Sequence, residues 1–312
     1  MISSTLDFIG RHATRFLGVG VLLGFAVPPL ASLARPLLVP ALLIPLTIAL
    51  VRLDWGATGA YARRPLLVAA AIVWLLVVSP VALWAALAPV PMPEALYQAL
   101  VLMAAASPII SSAAISLLLG LDAALAVVVI VVSTALLPFT LPVLALGLLG
   151  LELQIDLPTF MLRLGATVGG AFAAALVVRR IVPQHTIARN ARALDALSVI
   201  NLVIFAVAIM DGVTAFAIER PGYVALVTAA AFAANLALQA IGTVAWGRLG
   251  MRGALTMGLM TGNCNMGLVM VALGRDASFD VIVFFAMAQL PMYMLPGLLT
   301  PVYRRLALKD PA

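Results

Sequence analysis

Apolar residues recur along this chain in runs of about twenty, the length at which one helix crosses a bilayer. Short clusters of arginine, proline and glycine separate them. The runs predict about ten transmembrane helices, over residues 16–34, 37–52, 66–89, 98–120, 123–150, 159–180, 196–217, 222–246, 253–274 and 278–303. The expected fold class is therefore all-α and polytopic. Arg11 and Arg15 ahead of the first run, with Ser32-Leu33-Ala34 at its end, have the look of a secretory leader. The length of that run and the further runs behind it predict an uncleaved helix instead.

Two runs break the apolar pattern at their centres. The fourth carries Ser107-Pro108 followed by Ser111, Ser112 and Ser116, and the ninth carries Gly262-Asn263-Cys264-Asn265-Met266-Gly267. An amide side chain in hydrocarbon strands donors and acceptors unless it meets protein, water or a solute. Irregular backbone is tolerated at that depth only where it is buried or lines a cavity. The breaks accordingly predict a polar transport site, with a kinked helix at Pro108 and interhelical bonding by the Asn pair as the plainer readings.

Composition agrees with the pattern: 64% of the residues are hydrophobic and 10% charged, far outside the range of a soluble domain. The net charge of +6 follows topology rather than marking a nucleic-acid face. With the N-terminus inside, fourteen of the 18 basic residues fall on the cytoplasmic side, leaving Arg35, Arg163, Arg220 and Arg275 outside. The expectation is a multi-pass protein of the cell (inner) membrane with both termini cytoplasmic and an even number of spans. Trp55, Trp84 and Trp246 read as interfacial anchors, and the loop from Arg179 to Asp195 is basic enough to touch anionic membrane lipid, though retention on the cytoplasmic side explains its charge without further function. The single cysteine, Cys264, excludes an intrachain disulfide.

Ten spans would place the acidic segment Glu152 to Pro158 midway, dividing the chain into residues 1–151 and 152–312. Five is odd, so the second set would enter the membrane inverted, as in many secondary transporters. The fourth and ninth spans then correspond, and at an offset of 155 residues Pro108 is set against Asn263. An interrupted helix offers N–H groups at one half and carbonyls at the other, a ready partner for either sign of charge.

Ala104-Ala105-Ala106-Ser107-Pro108, Ser133-Thr134-Ala135-Leu136-Leu137-Pro138 with Pro142 beyond it, and Ala254-Leu255-Thr256 leading to Asn265-Met266-Gly267-Leu268 resemble the bile acid:sodium symporter family. Auxin-efflux-carrier and arsenite-exporter types are similar in their crossed helices. The resemblance implies a core domain of spans 3–5 and 8–10, a panel domain of spans 1–2 and 6–7, and sodium-coupled uptake of an organic anion. It also implies an acidic sodium ligand just ahead of the ninth-span break, an Asn in the fourth span and a Gln in the third. Those positions hold Met260, Ala114 and Leu75 or its neighbour Trp74. None can hold sodium through a side chain, since a hard cation wants oxygen ligands.

The candidate substrate-binding residues are Ser107, Pro108, Ser111, Ser112, Asn201, Asn235, Asn263, Cys264 and Asn265. Ser133, Thr134 and Thr261 are candidates for a coupling ion, sodium being the one the resemblance offers. Asp211 is the candidate for proton coupling, with an interfacial helix-capping role as its alternative. Arg163 either attracts an anion or extends its head to the interface. Gln239 extends the candidate cavity, and Gln289, Pro291, Tyr293 and Pro296 mark a kinked, adaptable tenth span. His12 and His185 lack a second ligand at metal spacing.

No cofactor, nucleic acid or protein partner is inferred beyond a small-molecule substrate and lipid. The absence of a nucleotide-binding glycine loop excludes primary active transport by this chain. Three classes stand: a secondary transporter, a sensor that binds without translocating, and an intramembrane enzyme. The last lacks any spaced pair of catalytic groups.

Overall fold

The computed structural model describes residues 13–53, 61, 63–150, 156–274 and 277–307. Within them the chain is helical, apart from one isolated extended bridge between Pro108 and Cys264. Helix α1, Ala13–Ala26, stops at Val27, whose backbone (φ −125°, ψ 75°) leaves the helical region because Pro28 follows it. Helix α2, Pro28–Ala34, passes through a 3-10 turn at Arg35–Leu37 into α3, Leu38–Val51. Helix α4, Pro65–Leu87, widens into a π-turn at Trp74–Val78, where the Ser79 N–H reaches back to the Trp74 carbonyl. Pro80 next to it has no N–H with which to continue the ladder.

The fourth apolar run forms two helices, α5 (Glu94–Ala105) and α6 (Ser111–Leu118), and is followed by α7 (Ala123–Leu149). Beyond the residues between them come α8 (Leu157–Ile181), the short α9 (Gln184–Arg189), α10 (Ala191–Ala208) and α11 (Val213–Glu219). Then follow α12 (Pro221–Ala245), α13 (Gly250–Gly262), α14 (Met266–Leu273), α15 (Phe279–Met287), α16 (Gln289–Leu298) and α17 (Thr300–Ala307).

Seven stretches among the described residues are long and apolar enough to cross a membrane, and two shorter ones, Phe16–Ala26 and Glu94–Ala105, are apolar. The outer surface displays Leu66, Leu162, Ile181 and Val244, each exposed by more than 70%, as a surface solvated by hydrocarbon requires. This is a multi-pass membrane protein.

The fourth and ninth spans break where the sequence predicts, and other predicted spans are broken as well. Span one is interrupted at Val27, before Pro28. Spans four and nine each divide in two, and the seventh is cut before α11 at Gly212, whose φ of +80° suits glycine. The tenth is jointed at Ala288 and Leu299. Arg11, His12, Trp55, Arg275, Lys309 and residues 152–155 of the proposed mid-chain linker lie outside the described residues, whereas Asp156 caps α8 through the Thr159 N–H.

Helix α10 has α1 alongside it in parallel and α3 antiparallel. Gly24 meets Val207 near the end of α10, whereas Arg52, just past α3, pairs with Asp195 near its start. A Cβ on Gly24 would come within 2.7 Å of the Val207 carbonyl oxygen, so these two backbones touch. The pair α12–α13 is equally close, through Gly242, Gly258 and Gly262. Apolar side chains gain nothing by leaving lipid, so helices in membranes associate through small residues and short polar contacts such as these.

Polar ties close both ends of the molecule. At the end predicted to be cytoplasmic, an Arg179 Nη1 donates to the Val51 and Leu53 carbonyls at 2.9 and 2.8 Å. There Asp122 caps α7 through the Leu125 N–H at 2.9 Å and accepts from the Tyr61 hydroxyl, while its own N–H bonds Thr256 Oγ1 at 2.9 Å. Burial and the Asp122 carboxylate both raise the Tyr61 pKa above its usual value. At the other end Arg35 and Ser32 hold Asp211 at 2.7 and 2.6 Å, and the Trp84 indole donates to the Leu148 carbonyl at 2.8 Å.

In Gly258→Ala the new Cβ would lie 2.0 Å from Thr243 Oγ1 and 2.5 Å from the Gln239 carbonyl oxygen. We expect a loss of about 1–3 kcal/mol, read as a lower unfolding temperature in detergent. Gly169→Ala, where nothing stands within 4 Å, is the matched control and should leave that temperature unchanged.

Candidate functional site

Helices α5 and α13 end where α6 and α14 have not yet begun, and the two gaps cross. Ala106 is extended (φ −74°, ψ 151°) because it precedes a short irregular run containing Pro108, and Asn263 leaves helical geometry at φ −91°, ψ 78°. The gaps then bond each other: the Ile109 N–H donates to the Asn263 carbonyl at 2.8 Å, and the Asn265 N–H donates to the Ser107 carbonyl at 2.7 Å. Four backbone groups that hydrocarbon would leave stranded are satisfied in two bonds. The spatial partner of Pro108 is Cys264, one residue beyond the Asn263 that the repeat offset set against it.

Side chains surround this bridge without contributing a charge. Ser107, Ser112 and Asn263 are fully buried, and Asn265 caps α14 by accepting the Leu268 N–H at 3.4 Å. Thr134 Oγ1 donates to Ser107 Oγ at 3.3 Å, linking α7 to the crossing. The Cys264 thiol points back to the Thr261 carbonyl at 3.4 Å. Of the five buried atoms with no partner among the described residues, Asn263 Nδ2, Ser112 Oγ and Ser116 Oγ lie on these elements, with Gln289 Oε1 on α16 and Tyr223 Oη near the start of α12. Native proteins rarely leave such atoms unsatisfied without a ligand or water to serve them.

A row of side chains leads from α12 to the crossing. Asn235 Nδ2 donates to the Gly262 carbonyl at 2.9 Å and to Asn263 Oδ1 at 3.1 Å. Gln239 Nε2 donates to Asn235 Oδ1, and the Tyr303 hydroxyl of α17 donates to Gln239 Oε1. The glycine at position 262 permits this approach, since a Cβ there would meet Gln239 Cγ at 2.4 Å. Tyr303 was invisible to sequence reasoning, because it lies 64 residues from Gln239 at the foot of a predicted span.

The other predicted residues fall in different surroundings. Ser111 opens α6, half-buried. Asn201 sits on α10 and donates to the Leu197 carbonyl of its own helix at 2.8 Å. Asp211 belongs to the ion pair at the far end with Arg35, whose side chain is 70% exposed; there it clamps α2 to the turn after α10. Arg163 lies beside Gly274, just past the end of α14. Gln289 spends its Nε2 on the Phe285 carbonyl at 3.1 Å.

The positions where the resemblance expects sodium ligands are filled with hydrocarbon. Met260 and Leu75 share one buried cluster with Ala71, Val129, Ile130 and Met257, and Trp74 packs against it. Ala114 lies on the exposed side of α6. The hydroxyls nearby donate their hydrogens within the protein, Ser133 to the Ile130 carbonyl at 3.1 Å and Thr261 to the Met257 carbonyl at 2.7 Å, while Thr261 also accepts from the Trp74 indole at 3.0 Å. These oxygens keep lone pairs but are neutral, and no carboxylate stands at position 260 to offset the charge of a hard cation.

A sequence model of the Sodium Bile acid symporter family matches residues 39–219, more than half of the chain. No curated protein matches it significantly.

Met260→Glu would bury an unpaired carboxylate in the apolar cluster, and we expect a clearly lower unfolding temperature in potassium chloride. Part of that loss should return in sodium chloride at equal ionic strength, because the substitution supplies the charged one of the three ligands that the resemblance expects. Thermal scans of the purified variant in the two salts check both outcomes.

Proposed function

The chain belongs to the sodium bile acid symporter family, and from that premise we propose that it is a secondary carrier moving a small organic solute, an organic anion foremost, by alternating access. The observation that carries this reading is the crossing: two helix breaks bonded to each other, with buried polar atoms left over for a solute. The half-helices α6 and α14 both begin at the crossing, and their N-terminal ends favour negative charge.

The same reading takes the chain as ten spans in two inverted sets of five, with both termini cytoplasmic in the inner membrane. Its support is the matched interruption of α5–α6 and α13–α14, together with the arginine distribution. The panel would comprise α1 to α3 with α8 and α10, and the core would rock against it, carrying the crossing between the two faces. The complete burial of Ser107 and Asn263 corresponds to an occluded stage of such a cycle.

A second observation bears on coupling. The hydrocarbon cluster around Met260 and Leu75 favours proton-coupled or uncoupled transport over sodium symport through that position.

Proteoliposomes assayed with labelled organic anions test the proposal. Asn263→Ala and Asn265→Ala should each lower uptake at least tenfold while the variants elute as intact protein in detergent. Retained uptake in both would remove the crossing from the transport path, and tight binding with no uptake would make the chain a sensor. An inward sodium gradient should stimulate uptake no more than a potassium gradient; a sodium-specific rise would reverse the coupling argument.

A further inference from the structure

The row from Tyr303 to the crossing has only one possible polarity, and the Gly262 carbonyl sets it. A carbonyl oxygen can only accept, so the Asn235 atom 2.9 Å from it is Nδ2. That nitrogen also lies 3.1 Å from an Asn263 side-chain atom, which must then be the acceptor Oδ1. Asn235 turns its own Oδ1 toward Gln239, which must answer with Nε2 and so present Oε1 to Tyr303. The Tyr303 hydroxyl has to donate. Reversing any one amide would set two like atoms face to face along the row.

The consequence appears at the far end. Once its Oδ1 is taken by Asn235, Asn263 has only Nδ2 left, and that atom is unpartnered while the residue is fully buried. We infer that Asn263 Nδ2 is the specificity-determining contact of the crossing, an oriented N–H donor that takes an acceptor oxygen of the solute, as in a carboxylate. Tyr303 is the positioning residue that holds the row in this sense. The donor repels a cationic or purely donating group at the same point. This inference rests on the carrier reading for its biological setting, but its test reads binding and needs no transport.

The full chain in detergent is titrated with potassium benzoate and with benzylammonium chloride, each against potassium chloride at equal ionic strength, and its unfolding temperature is followed. Benzoate should raise that temperature in a saturable way, and benzylammonium should not. In Asn263→Asp, which puts an oxygen where the donor stood, the benzoate response should vanish and benzylammonium should become the stabilising ligand. In Tyr303→Phe the half-saturating benzoate concentration should rise at least tenfold, with the fold intact by gel filtration. A merely structural role for Tyr303 would lower the starting temperature and leave the preference for benzoate unchanged, which would overturn its positioning role. Equal responses to the two ligands, no response to benzoate, or a benzoate preference that survives Asn263→Asp would overturn the donor assignment. Benzoate binding that depends on Asn263 without any anion uptake in vesicles would sink the carrier reading and leave the donor assignment standing.

Discussion

Hydrocarbon offers no hydrogen bonds, so a helix that breaks at membrane depth must find partners for its backbone inside the protein. Here one break supplies them to the other. The Ile109 N–H and the Asn263 carbonyl, with the Asn265 N–H and the Ser107 carbonyl, form a miniature antiparallel bridge. Neither break would be tolerable alone, and the arrangement of α5, α6, α13 and α14 follows from their need to meet. The glycines on α12 and α13 serve the same end, since only at that separation can Asn235 reach the Gly262 carbonyl. Asp122, between α6 and α7, caps α7 and ties its start to Thr256 on α13, a second link beside the crossing.

The sequence revealed the helical, membrane-embedded class and the two breaks, because hydrophobic runs and helix-breaking residues act locally and leave local marks. Its boundaries failed where proline or glycine cut a run without changing its polarity, as at Val27-Pro28 and Gly212. The π-turn at Trp74–Val78 gave no hydropathy signal, since every residue in it is apolar. At the site, Ser107, Asn263 and Asn265 were legible as polar atoms out of place. Tyr303 was not, because an aromatic near the foot of a span has the same pattern whether it anchors the interface or completes a buried row. Asp211 was legible as an acid near the bilayer, but its partner Arg35 lies 176 residues away, and only folding shows the two as a clamp.

The family resemblance and the side chains divide at one place. Backbone architecture around the breaks follows the motifs, whereas Met260, Leu75 and Trp74 converge in a dry cluster. Met260 lies far in sequence from Leu75 and its neighbour Trp74, yet together they present carbon and an indole where the resemblance expects oxygen ligands. A carboxylate at position 260 alone would be buried and unpaired in that cluster.

The crossing is lined by amides, hydroxyls and a thiol, with no ionised side chain among them. A full charge displaced across a bilayer couples to the membrane potential by about 2.3 kcal/mol per 100 mV, while a neutral lining couples hardly at all. In a carrier built on this crossing, no ionised side chain at the crossing would tie the empty return step to voltage. The electrical signature of the cycle then belongs entirely to its cargo and to any ion carried with it.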